Sequence, residues 1–185
     1  MPRDGAGARK RLREAALELY LEHGYDATTT AQIAERAGVT ERTYFRHFAD
    51  KREVLFGGES ELRDVMVGAV ADAPRGTSPL ALVVAAYVAA VPLFVAGRPI
   101  AVRRAAVIDE APALKERAQA KSAALADAVI AALIARGIPE ATARLAAQVG
   151  AAAFDRASRE WYPHPRRDLA ALISSAADEV RALAG

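Results

Sequence analysis

The stretch that most constrains this chain is residues 29–56, which spell two short helices, a tight turn and the opening of a third helical segment. Thr29 caps the first helix, with Gln32 three residues on completing a capping box. Ile33, Ala34 and Ala37 give that helix a small apolar face, and Gly38 stands where a helix end commonly needs positive φ. Val39 fits the turn and Thr40 caps the second helix. Phe45 and Phe48, three apart, are expected to pack inward, leaving Glu41, Arg42, Thr43, Arg46 and His47 outward. Asp50 with Glu53 forms a further capping box, from which a long helix is expected over Lys51–Ala71.

Two helices joined by so short a turn make a helix-turn-helix, whose second helix fits the major groove of DNA. The outward side chains suit that task. Arginine reads guanine with two hydrogen bonds, threonine meets a base edge or a thymine methyl, and lysine and histidine approach phosphates. Arg42, Thr43 and Arg46 are the candidate base readers; Thr29, Thr40, Tyr44, His47 and Lys51 are the candidate backbone contacts. A charged outer face on a hairpin inside some other helical core is the plainer alternative.

Gly38-Val39-Thr40, followed by Tyr44-Phe45-Arg46-His47-Phe48 and then Lys51, closely resembles the tetracycline-repressor-type (TetR) family of bacterial regulators. The resemblance is strong over residues 9–56 and beyond them is one of length and helical plan. It implies a dimeric, all-helical, one-component transcription regulator, and repression is the family's commoner mode. One departure stands out. The family usually carries Tyr where this chain has Phe45, and that hydroxyl contacts a phosphate, which Phe45 cannot do.

Composition agrees with an all-α chain. The 185 residues are 52% hydrophobic, much of it alanine, and only 6% aromatic; alanine has the highest helix propensity. The formal net charge is only +2, so any attraction to nucleic acid is local. Arg3, Arg9, Lys10, Arg11 and Arg13 form such a basic cluster. With no cysteine, disulfides and thiolate chemistry are excluded. No signal-peptide pattern opens the sequence, and a cytoplasmic location is expected. Residues 80–97 carry no charge, but they are alanine-rich and interrupted by Pro92, so a buried helix kinked at that proline is expected rather than a membrane span. The histidines His23, His47 and His164 are scattered, and neither a phosphate loop nor a paired-carboxylate or metal-binding motif surrounds them. No enzyme activity, metal or cofactor is expected.

Along the chain, residues 1–8 are expected to be unstructured, and a first helix runs from Arg9 to His23, closed by Gly24. After the head (9–56), a helical body (57–185) follows, with segments at about 80–96, 98–109, 113–136, 139–161 and 167–183, roughly nine helices in all. In the resembled family the central body helices surround an effector pocket. Here the candidate lining residues are Met66, Tyr87, Phe94, Arg103, Arg104, Ile108 and Trp161, and their character implies a small, mainly apolar effector. The resemblance also implies that the last two helices meet their copies in a homodimer, with Leu145, Val149, Ala153, Leu172, Ile173 and Ala176 at the interface. The combined expectation is a homodimer that binds double-stranded operator DNA and is released by a small molecule. The alternative is a helix-turn-helix regulator controlled by a protein partner.

Overall fold

The computed structural model describes residues 4–183, with the side chains of residues 7–183. These residues form nine α-helices and no strand: α1 Asp4–His23, α2 Thr30–Arg36, α3 Glu41–His47, α4 Glu59–Asp72, α5 Pro79–Ala89, α6 Val91–Glu110, α7 Pro112–Ala135, α8 Glu140–Trp161 and α9 Leu169–Leu183. The all-α expectation holds.

Several boundaries differ from the sequence reading, each for a local reason. Helix α1 begins at Asp4, so residues 4–8 are helical; the part of that expectation concerning residues 1–3, and the Arg3 member of the basic cluster, lie outside the described residues. No long helix starts at Lys51. Asp50 Oδ1 accepts the backbone N–H groups of Arg52 and Glu53 at 2.8 and 3.0 Å, but only one 3₁₀ turn, Glu53–Leu55, follows. Gly58, at φ 86°, then redirects the chain before α4. The expected kink at Pro92 is instead a break at Ala90, where α5 and α6 meet at 56°. Pro92 lies in the first turn of α6, where its missing N–H costs nothing, and Pro99 is accommodated inside the helix. By length and composition alone, α7 is also apolar enough to cross a membrane.

The chain divides into two compact units. The first comprises Met1–Gly58 with Pro99–Lys121, and the second Glu59–Arg98 with Ser122–Gly185. In the first, Leu12, Ala16, Leu19 and Tyr20 of α1 pack on Ile33, Ala34, Tyr44, Phe48 and Val54, and Val107, Ala111 and Leu114 belong to the same buried cluster. In the second, Met66 and Val70, Leu82 and Val83, Val129 and Leu133, and Ala143 and Ala147 share one core. A second cluster there gathers Ala157, Trp161, Leu169 and Ile173. Gly150 is required where α8 crosses α5: a Cβ at that position would lie 2.3 Å from Cγ1 of Val83.

Candidate nucleic-acid interface

The capping chemistry of the head forms as read. Gln32 N donates to Thr29 Oγ1 at 3.2 Å and Thr29 N donates to Gln32 Oε1 at 2.8 Å, closing the capping box on α2. Gly38, at φ 67°, turns the chain after α2, and Val39 N donates back to Ala34 O at 2.9 Å. Thr43 N donates to Thr40 Oγ1 at 3.2 Å and starts α3.

The inward side of α3 is not Phe45 with Phe48 but Tyr44 with Phe48. Tyr44 is fully buried, and Phe45 is 53% exposed. The spacing of four positions replaces the spacing of three, and Tyr44 turns in because its hydroxyl finds a partner there: it donates to Asp50 O at 3.1 Å. Burial, with Asp50 nearby, pushes the Tyr44 phenol well above its ordinary range. Tyr44 therefore has no surface left for a phosphate.

Lys51 is likewise turned inward. Its Nζ donates to Tyr25 O at 2.7 Å and Thr28 O at 2.9 Å and sits 4.0 Å from the Tyr25 ring centre. Burial pushes its pKa down, against a smaller opposing pull from Asp26. Tyr20 donates to Lys51 O at 2.8 Å. Lys51 thus ties the loop before α2 to the segment after α3, and no helix N-terminus at this point offers N–H groups to a phosphate.

Part of the basic cluster does similar internal work. Arg9 Nη1 donates to His47 O at 3.2 Å, and Arg11 Nε donates to Ala37 O at 3.1 Å. Each satisfies a carbonyl at the end of a helix of the helix-turn-helix, where orphan acceptors lie and a cation meets the helix dipole favourably. Arg36 of α2 bonds Glu18 and Glu22 of α1. The Arg13 guanidinium lies against Gly57, where any side chain would collide with it. After the 3₁₀ turn, Glu53 accepts from Arg117 and from Lys121, the latter at 3.2 Å.

With these groups committed inward, the outer face of α3 consists of Glu41, Arg42, Phe45 and Arg46, all exposed. Neither Arg42 nor Arg46 bonds another described side chain or carbonyl. Thr43 and His47 are half-buried. Thr43 shares a hydroxyl contact of 3.0 Å with Thr40. His47 Nε2 is buried without a hydrogen-bond partner, and burial, then Arg46 and Arg9, hold the imidazole pKa below its usual value. Thr29 and Thr40 remain exposed beside this face.

The seven expected pocket residues fall in two places. Arg103, Arg104 and Ile108 belong to the unit that contains the head. There Arg104 Nη1 donates to Leu55 O at 3.4 Å and Ile108 packs on the head cluster, while Arg103 is exposed. Met66 and Trp161 are buried in the other unit, where Tyr87 and Phe94 join both of its larger clusters. The residue missed there is Phe154. Its ring stacks on Tyr87 at 4.5 Å and lies 4.7 Å from Phe94. A signal was present: Phe154 and Trp161 are seven apart on α8, the same spacing as Tyr87 and Phe94, although in the structure the latter two fall on α5 and α6 either side of the break at Ala90.

Of the expected interface residues, Leu145 is 61% exposed, and Val149 and Leu172 are half-buried. Ala153, Ile173 and Ala176 are buried in the core of their own unit and are not available to a partner.

Residues 12–56 match the family described as "Bacterial regulatory proteins, tetR family". Over 72 residues the chain is 44% identical to the HTH-type transcriptional regulator TcmR of Streptomyces glaucescens, covering 39% of this chain and 32% of that protein. The match thus spans about a third of that relative's length. Among the solved structures with a similar fold, two align over about nine tenths of this chain. The fatty acid degradation regulator FadR of Bacillus halodurans aligns with a TM-score of 0.59 at 17% identity, covering 92% of this chain and 93% of that one. The TetR-family transcriptional repressor FadR of Thermus thermophilus, solved with lauroyl-CoA, aligns with a TM-score of 0.55 at 22% identity, over 91% of this chain and 90% of that one.

Proposed function

We propose, from a head that belongs to the tetR family of bacterial regulatory proteins, that this chain is a sequence-specific transcriptional regulator that binds operator DNA as a homodimer. One observation carries the reading: the large side chains around α3 are spent holding it in place, while Arg42 and Arg46 point outward with no partner among the described residues. Unpaired arginines on the outer face of a recognition helix are suited to guanine edges in the major groove. Phosphate contacts then fall to Thr29, Thr40 and the edge of His47, not to Tyr44 or Lys51.

Two copies of the head on a two-fold axis would read half-sites about 34 Å apart. The exposed edge of α8 around Leu145 and Val149, together with Leu172 of α9, supplies the dimer surface. Repression, with release by a small apolar effector taken up near Tyr87, Phe94 and Phe154, is the regulatory mode. Such an effector acts only if it binds the DNA-free state more tightly than the DNA-bound one. The close packing of that aromatic stack favours a second reading, in which a protein partner supplies the signal instead.

Selection from a random duplex library, at two salt concentrations, tests the DNA reading. An enriched inverted repeat is the expected result. Weak binding with no enrichment and a steep salt dependence would remove sequence reading from the head.

A further inference from the structure

Glu41 is the one acidic group on the outer face of α3, and a polyanion makes that position expensive. A carboxylate brought near the phosphate backbone is repelled unless it meets a hydrogen-bond donor. The major groove offers only two kinds of donor, the N4 amino group of cytosine and the N6 amino group of adenine. Glu41 opens α3, and the N-terminal residues of a recognition helix are those that reach base edges. Its carboxylate is also not left to wander. The Thr30 hydroxyl, in the first turn of α2, donates to Glu41 Oε1. No described group donates to the other oxygen. Neither Arg42 nor Arg46 neutralises it, although both share its face.

We infer that Glu41, oriented by Thr30, is a specificity-determining residue that accepts a hydrogen bond from a cytosine N4 amino group in each half-site. The inference rests on the DNA-binding reading above. It makes the outer face of α3 a mixed reader. Arg42 and Arg46 select guanine, Glu41 selects cytosine on one strand, and a phosphate-facing role for Glu41 is excluded by its charge. Thr30 acts as a positioning residue, setting which way the carboxylate points.

The experiment is library selection with the full chain, comparing the unsubstituted protein with E41Q, E41A and T30V and recording a thermal melt for each. The unsubstituted protein is expected to select an inverted repeat with a cytosine favoured roughly tenfold at one position per half-site. E41Q should move that position to adenine, because glutamine pairs with adenine N6 and N7. E41A should flatten that position alone, and T30V should weaken its cytosine preference without moving it. Loss of affinity spread evenly over all positions in E41Q and E41A, with the base profile unchanged, would overturn the inference and leave Glu41 as a brace between α2 and α3. No inverted repeat from the unsubstituted protein would overturn the DNA reading itself, so the two failures are distinct.

Discussion

The head and the body build their cores by opposite means. In the head, long side chains reach main-chain carbonyls with their polar tips, from the buried Tyr20 and Tyr44, the half-buried Lys51 and the exposed Arg9 and Arg11: Tyr20 to Lys51, Tyr44 to Asp50, Lys51 to Tyr25 and Thr28, Arg9 to His47, Arg11 to Ala37. In the body, α8 buries Ala143, Ala146, Ala147, Gly150, Ala153 and Ala157, with almost nothing to bond. Hydrogen bonds are directional, so the head specifies the orientation of α3. Missing side chains set only how closely two helices approach, so the body specifies distance. A surface that must match base edges needs the first kind of core. The body has polar clamps of the head's kind too, though fewer among the described residues: the Arg136 guanidinium donates to the carbonyls of Val70, Ala71, Ala73 and Pro74 and closes the end of α4, and Arg98 donates to Tyr162 O.

The sharpest way to break the head is Tyr44→Ala. It removes a fully buried ring and the bond to Asp50 O, and should cost about 3–5 kcal/mol in chemical denaturation. DNA binding should be lost while the fluorescence of Trp161, the single tryptophan and a body residue, stays native at low denaturant. The body breaks differently. Gly150→Ala places a methyl group into Val83 and should cost about 1–3 kcal/mol. Because the fault is spatial, Val83→Ala added to it should recover part of the loss, a coupling visible in a double-mutant cycle.

Lys51→Met should cost about 1–2 kcal/mol, since two carbonyls lose their donor. It should leave the salt dependence of DNA binding unchanged, and a flatter slope would return Lys51 to the phosphate contacts. Alkali gives the smallest and most selective effect. The phenols of Tyr20 and Tyr44 are pushed up, chiefly by burial. Their folded pKa values thus exceed the unfolded value of about 10. This contribution to stability is complete below about pH 10 and is lost as pH rises through the folded values. Lys51, whose pKa is lowered, works in the opposite sense. Tyr44→Phe should cost about 1 kcal/mol at neutral pH yet lessen the alkaline loss, as denaturation followed against pH will reveal.

The legible parts of the chain were those in which local chemistry decides the structure. Thr29 with Gln32, Gly38, and Thr40 each name a cap or a turn without reference to anything distant, and each forms as read. The inward side of α3 was not legible, because Phe45 and Phe48 fit a helix face as well as Tyr44 and Phe48 do. What separates them is the Asp50 carbonyl that receives the Tyr44 hydroxyl, a partner outside the helix. Lys51 misled for the same reason: a lysine beside a recognition helix suggests a phosphate, and only the positions of Tyr25 O and Thr28 O show where its protons go. Likewise, alanine stripes on α8 and α9 do not reveal which side is already covered, so Ala153 and Ala176 looked like a partner's surface while serving their own unit.

Val107, Ala111 and Leu114 lie in the head's buried cluster although they follow it by some fifty residues of chain, and Glu53 is bonded from Arg117 and Lys121. A hybrid regulator made by splicing residues 1–58 onto a foreign body would inherit α3 with its outer face intact but leave behind part of the apolar floor beneath it. The transplantable cassette is discontinuous, residues 1–58 with 99–121, and on the proposed function a graft that respects only the N-terminal boundary should select DNA with a softened, less discriminating head.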